Sequence, residues 1–302
     1  ILSNYFAILA PQLTVHIFDM LLQRLGETVP LKKSAYGPLV LFAIDETGSH
    51  ELTFTGKIAT FSILILIFSL LRGFFMFLMR QTIIVMSRHI EFDQKNEVYT
   101  KYQNLDSLFF IRHNIGDMMN RIAEDVSRVR IFTGPAIMYI VNLVSVIALS
   151  VFFMLKSSKE LTFYVLLPLP ILAIIIYFVN STIHKKSERI QEALSDLTTN
   201  AQESYSGIRV IKSFVQESAM LNFFKENTER YRRSAVSLAK TEAVYFPSIN
   251  LLIGLSTLLT IMIGGLYYID NQHNISLGTI VEFIVYVNML TFPVSAIGLT
   301  AS

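Results

Sequence analysis

Six apolar runs, each about as long as the hydrocarbon core of a bilayer is thick, constrain this chain more than any other feature. They occupy residues 1–22, 58–84, 131–155, 161–183, 244–269 and 279–302. A helix needs about 20 apolar residues to cross a core of ~30 Å. The runs are continuously apolar rather than alternating, which excludes a β-barrel. In lipid every backbone polar group must bond within its own segment, so each run is predicted to be a helix. Charged residues make up 16% of the chain and the mean hydropathy is +0.50, against about a quarter charged in soluble domains. The fold class expected is an all-α membrane protein of six transmembrane helices. Residues 1–302 read as one transmembrane domain. Both ends fall inside apolar runs and are expected to be cuts, so the first run is read as a span and not as a signal peptide.

The connections are unequal. Residues 156–160 and 270–276 are short turns, and 23–57 is a medium, irregular loop punctuated by Gly26, Pro30, Gly37, Pro38 and Gly48. Residues 85–130 and 184–243 are long and charged. These two hold seven and ten basic residues, seventeen of the 25 Lys and Arg. The excess of positive charge places both long connections, and both chain ends, on the cytoplasmic side of a multi-pass protein.

Within the long connections apolar residues recur at helical spacing: Ile190, Leu194, Leu197, Ala201, Ile208 and Ile211, then Leu221, Phe224, Tyr231, Ala235 and Leu238. The spans are therefore predicted to continue below the membrane as antiparallel helical extensions. The first connection repeats the plan, with a return helix expected to start at Asp117 behind Gly116. Each extension reverses at an apolar tip, Leu108-Phe109-Phe110 in one and Ile208, Val210, Ile211 and Phe214 in the other. Exposed apolar tips far from lipid point to a protein partner.

Three stretches carry a resemblance. Residues 92–130 read FDQKNEVYTKYQNLDSLFFIRHNIGDMMNRIAEDVSRVR, residues 202–217 read QESYSGIRVIKSFVQE, and residues 276–294 read SLGTIVEFIVYVNMLTFPV. Set in a six-span pattern at this separation, they resemble the transmembrane domain of ABC exporters, the family of lipid flippases and bacterial multidrug exporters. Lys95, Asn114 and Ile115 depart from the family pattern. The resemblance implies a dimer of two such halves, identical or different. It also implies coupling helices that dock on nucleotide-binding domains through Ser107, Leu108, Phe109, Phe110, Arg112, Gly116 and Asp117, and through Gly207, Ile208, Arg209, Ile211, Lys212 and Phe214. ATP and magnesium belong to that separate domain. The cargo implied is a hydrophobic or amphipathic lipid or drug-like molecule, and the location the inner membrane of a bacterium.

The chain itself has no G-x-x-x-x-G-K-[ST] phosphate loop and no nucleophile–base arrangement. It has no cysteine, its six histidines are scattered, and no basic, aromatic-interleaved surface suggests nucleic acid. Neither a cofactor nor a metal is expected within it. Arg72 stands mid-span, where a charge costs about 2.5–3.5 kcal/mol on insertion scales, and is read either as cavity lining or as one half of a structural pair. Asn142, Asn180, Asn250 and Asn288 place one amide in each of four spans, for interhelical hydrogen bonds or substrate contact. Asp19 and Arg80 read as residues that snorkel or cap. Thr279 to Glu282 reads as a capping box opening the sixth helix. Gly264 and Gly265 read as close-packing positions. The rival readings are a channel, or a membrane scaffold whose tips bind a soluble partner.

Overall fold

A computed structural model describes residues 1–26, 36–49, 53–270 and 275–300, and among these the regular structure is entirely helical. The helices are α1 (Leu2–Arg24), α2 (Pro38–Ser49), α3 (Phe54–Gln103), α4 (Ser107–Arg112), α5 (Ile115–Asn120), α6 (Val126–Ile131), α7 (Ile137–Ser157), α8 (Lys159–Leu166), α9 (Pro168–Ser206), α10 (Ile208–Ser213), α11 (Glu217–Ile269) and α12 (Leu277–Thr300). Two π-helical turns, Arg121–Asp125 and Phe132–Ala136, join α5, α6 and α7 into one continuous rod.

Five rods are long and apolar enough to cross a membrane: Leu2–Arg24, Phe54–Gln103, Ile115–Ser157, Lys159–Ser206 and Glu217–Ile269. The sixth predicted run lies in α12, with residues 301 and 302 outside the described residues. Length explains why spans and extensions share single helices. The 50 residues of α3 contain no proline and rise ~75 Å, so one helix carries the second apolar run and the charged segment below it. The 53 residues of α11 do the same on the way back.

The structure departs from expectation at three places. The loop over 23–57 contains a helix, α2, because Pro38 supplies a fixed first-turn φ ahead of an apolar stretch. The return helix starts at Ile115 rather than Asp117, since the Asn114 side chain accepts from Gly116 N at 2.8 Å and caps it earlier. Pro168, which cannot donate, starts α9 after a single turn residue at Leu167, as a proline at that place is expected to, and the rod Lys159–Ser206 runs on through it. Thr279 is not an N-cap. Ser276 Oγ accepts from Thr279 N at 3.1 Å, so the cap lies three residues earlier and Glu282 falls inside the helix.

The chain forms two compact units. The first comprises Ile1–Thr162 and Ile263–Leu290. In it α1 packs on α3 and α7. Leu9, Leu13, Val40, Phe61 and Phe68 form its core, joined by Tyr36 from the segment before α2. Close approach is set by glycine at two points. A Cβ on Gly134 would meet Ser87 Cβ at 2.6 Å, and one on Gly264 would meet Ile280 Cγ1 at 2.9 Å. Gly265, read as a second close-packing position, has nothing within 4 Å, because its missing side chain points to open space.

The second unit comprises Phe163–Met262 and Thr291–Ser302. Leu172, Ile176, Ile249 and Leu252 are buried there, and Ser256 Oγ donates to the Val165 carbonyl at 2.6 Å. Below the apolar runs α9 and α11 are tied by Lys186 Nζ, which donates to Ser237 O at 3.1 Å and Thr241 Oγ1 at 2.6 Å. Further down, Arg230 pairs with Asp196 at 2.5 Å.

Candidate functional site

The first tip is α4, a single short helix at the foot of α3. Asp106 caps it by accepting from Phe109 N at 3.1 Å. Leu108 is 59% exposed and Ile111 80%, whereas Phe109 turns inward and stacks on His113, with ring centroids 4.0 Å apart. Leu108, Phe110 and Ile111 are thus the apolar side chains the tip presents, and Phe109 braces it. Ser107 and Arg112 are exposed at its two ends, and Gly116 and Asp117 sit in the first turn of α5. Asp117 pairs with Arg121 at 3.2 Å.

The second tip is α10, between α9 and α11. Val210 is 60% exposed and Phe214 72%, Ile208, Arg209 and Lys212 are exposed, and Ile211 is half-buried. Gly207 closes α9 by donating to Glu203 O at 2.8 Å. The stop after α10 is a paired bond, Gln216 N to Ile211 O at 2.9 Å and Val215 N to Lys212 O at 3.2 Å. That closure puts residue 215 in the left-handed region that favours glycine, and here it is valine at φ +53°.

The polar residues within the spans separate. Arg72 is exposed in mid-α3, and Ser3 Oγ donates to its carbonyl at 3.1 Å. Asn142 is bonded between helices, accepting from Asn4 Nδ2 at 3.0 Å. Asn180 is buried and Asn250 exposed. Asn288 donates to Ile284 O of its own helix at 2.9 Å. Asp19, read as a snorkelling or capping residue, is 3% exposed and accepts from Ser276 Oγ at 3.4 Å.

Two polar centres bring together residues far apart in sequence. Beside the middle of α1, Glu282 is buried and accepts from Tyr286 Oη at 2.8 Å and Ser157 Oγ at 3.2 Å. Gln12 Nε2 donates to Tyr286 Oη at 3.4 Å, while Gly37 N donates to Gln12 Oε1 at 2.8 Å. Lys156 Nζ holds the Tyr36 carbonyl at 2.8 Å. Burial, with the Asp19 and Glu282 carboxylates nearby, pushes the Tyr36 hydroxyl far above the usual phenol range. The centre therefore ties α1, the 36–37 segment, the end of α7 and α12 together. No motif announces it, since its members are scattered from residue 12 to residue 286.

The second centre is Glu91 on α3, which pairs with Arg88 at 2.9 Å, Lys95 at 3.0 Å and Arg130 at 3.1 Å and accepts from Ser127 Oγ at 3.2 Å. The Lys95 bond first, then Arg88 and Ser127, hold its carboxyl down to about 2. Basic residues three before and four after Glu91 were a legible signal for half of this hub. Only the fold supplies Arg130.

Comparison with known proteins places these features. The family described as ABC transporter transmembrane region matches residues 1–294. The multidrug resistance-like ATP-binding protein MdlA of Escherichia coli is 29% identical over 70% of this chain and 36% of its own length. A probable multidrug resistance ABC transporter ATP-binding/permease protein of Bacillus subtilis, YheI, is 33% identical over 63% of this chain and 32% of its own. A putative multidrug export ATP-binding/permease protein of Staphylococcus aureus is 27% identical over 84% of this chain and 45% of its own. The chain thus spans between a third and a half of the length of these relatives.

Proposed function

This chain belongs to the family of ABC transporter transmembrane regions, and from that premise we propose that it forms one half of the translocation pathway of an ATP-driven exporter. The half pairs with a second transmembrane half and moves a hydrophobic or amphipathic molecule, lipid-like or drug-like, out across a bacterial inner membrane. Both ends and both long extensions lie in the cytoplasm. ATP and magnesium are handled by a nucleotide-binding domain, since residues 1–302 hold no phosphate loop.

The observation that carries this reading is the pair of exposed apolar tips, Leu108 and Ile111 on α4 and Val210 and Phe214 on α10, set at the ends of helices that also carry apolar runs of membrane-crossing length. Patches of this kind mark protein interfaces. Long, proline-free rods such as α3 let closure of docked catalytic domains move the spans as rigid bodies.

Ile111→Asp and Phe214→Asp in the full-length protein test the reading, because both side chains are exposed and their loss leaves the packing intact. Each variant is expected to retain fold and membrane insertion while substrate-stimulated ATP turnover and transport fall together by tenfold or more. Unchanged transport in both variants overturns the docking role. Tips that bind a soluble partner with no transported substrate at all favour a scaffold.

A further inference from the structure

Just below the fourth and fifth apolar runs, α9 and α11 enclose a groove of about 210 Å³ lined by Lys186, Arg189, Arg233, Ser234 and Ser237. No carboxylate is among its lining residues. Three cations and two hydroxyls are the donor set of a phosphate site: charge for the anion, and O–H groups to bond its remaining oxygens.

The groove is held in place. Lys186 Nζ is fixed by Ser237 O and Thr241 Oγ1, which leaves the ammonium one further N–H. Arg233 is steadied by Glu229 at 3.0 Å. Arg189 is exposed and, among the described residues, has no ion-pair or side-chain hydrogen-bond partner. It is the groove's unsatisfied cation.

Depth narrows the ligand. Lys186 lies three residues beyond the end of the fourth apolar run and Ser237 seven before the start of the fifth, ~5 and ~10 Å along their helices. Lys186, at the top of the groove, thus falls at the level of lipid headgroups, which add roughly 5–7 Å on each side of the hydrocarbon core, and the remaining donors line the groove just below it. A free phosphate ion would bind the same donors, but only a lipid is present there at high local concentration. We propose that this groove binds the phosphate of an acidic phospholipid headgroup in the leaflet that faces the extensions. The inference rests on the membrane placement proposed above but not on ATP coupling or on which side the extensions face.

The test is retention of phosphatidylglycerol by the intact protein in native mass spectra, with melting temperatures in nanodiscs of phosphatidylglycerol or phosphatidylcholine alongside. Arg189→Gln is expected to lower retention more than tenfold and to remove the melting-temperature gain that phosphatidylglycerol gives the wild type. Ser234→Ala is expected to lower retention by a smaller factor. Lys185→Gln removes an equal charge next to the groove and outside its lining. It is expected to lose no more than the roughly fivefold of one diffuse interfacial charge. Equal losses in Arg189→Gln and Lys185→Gln, or no loss in either, overturn the site. An Arg189-dependent gain produced by inorganic phosphate alone in phosphatidylcholine nanodiscs overturns the lipid assignment. ATP turnover is not read in any arm, so failure here is separate from failure of the exporter reading.

Discussion

Tyr286 donates its hydroxyl to Glu282 Oε1 at 2.8 Å, one turn apart on α12, where Tyr286 keeps 0% and Glu282 4% of its exposure. The direction of that bond is set from far away in sequence. Gly37 N can only donate, so Gln12 presents Oε1 to it and Nε2 to Tyr286, and the phenol must then donate onward to the carboxylate. Tyr286→Phe removes the donor that Glu282 needs and the acceptor that Gln12 needs. The expected loss is about 1–3 kcal/mol, the cost of burying polar groups without partners. Reversible thermal unfolding in detergent checks it. A melting temperature unchanged from wild type would show that water replaces the phenol at no cost.

Gly134 and Gly265 offer a paired test of close packing. Gly134→Ala forces Ser87 and the π turn after α6 apart, and over-packing of this kind costs about 1–3 kcal/mol. Gly265→Ala adds a methyl group in open space within a helix and is expected to be neutral, or stabilising by up to about 1 kcal/mol. Chemical denaturation of the two variants side by side reads the difference. Equal effects contradict the packing described for Gly134.

Much of this fold was legible because a membrane removes choices. Apolar length alone located six helical segments, and charge with 3.6-residue spacing located their extensions and both tips. What was not legible was which of several candidate partners, near or distant in sequence, a side chain takes. Glu282 looked like the end of a capping box because Thr279 and Glu282 have the right spacing. Ser276, three residues earlier, takes the cap instead, and Ser157 and Tyr286 take the carboxylate. Within the tip string the helical turn directs the Phe109 ring onto His113 and leaves Ile111 the more exposed side chain, a division the string alone does not show. The α9–α11 groove shows no motif, since Lys186 and Arg233 lie 47 positions apart and meet only because two long helices run antiparallel.

Val215 is a strained stop. A β-branched residue in the left-handed region costs about 1–2 kcal/mol relative to one that tolerates it. The paired bonds to Ile211 and Lys212 oxygens hold it there. Val215→Gly is expected to relieve that strain and raise hydrogen-exchange protection of the amides over 208–213. An unchanged exchange pattern would mean that the closure is held by something other than the two bonds.

Glu91 predicts an acid sensitivity confined to the extension below α3. Its carboxyl is held at about 2, below the ordinary 4.5, by Lys95, Arg88 and Ser127, and Arg130 completes the hub from α6. A depressed folded-state value means the unfolded chain takes up the proton first, so the stabilisation is fully present above pH ~4.5. It fades as the pH falls from there toward 2, and below that the hub contributes nothing. Glu91→Gln abolishes this contribution at every pH. Its α3–α6 segment should therefore be less protected from protease than wild type at pH 7, with the gap closing between pH 4.5 and 2. Limited proteolysis with an acid-stable protease, read as cleavage within 85–130, measures the gap directly. A difference between the two proteins that stays constant down to pH 2 would show that the lost contribution comes from shape rather than charge.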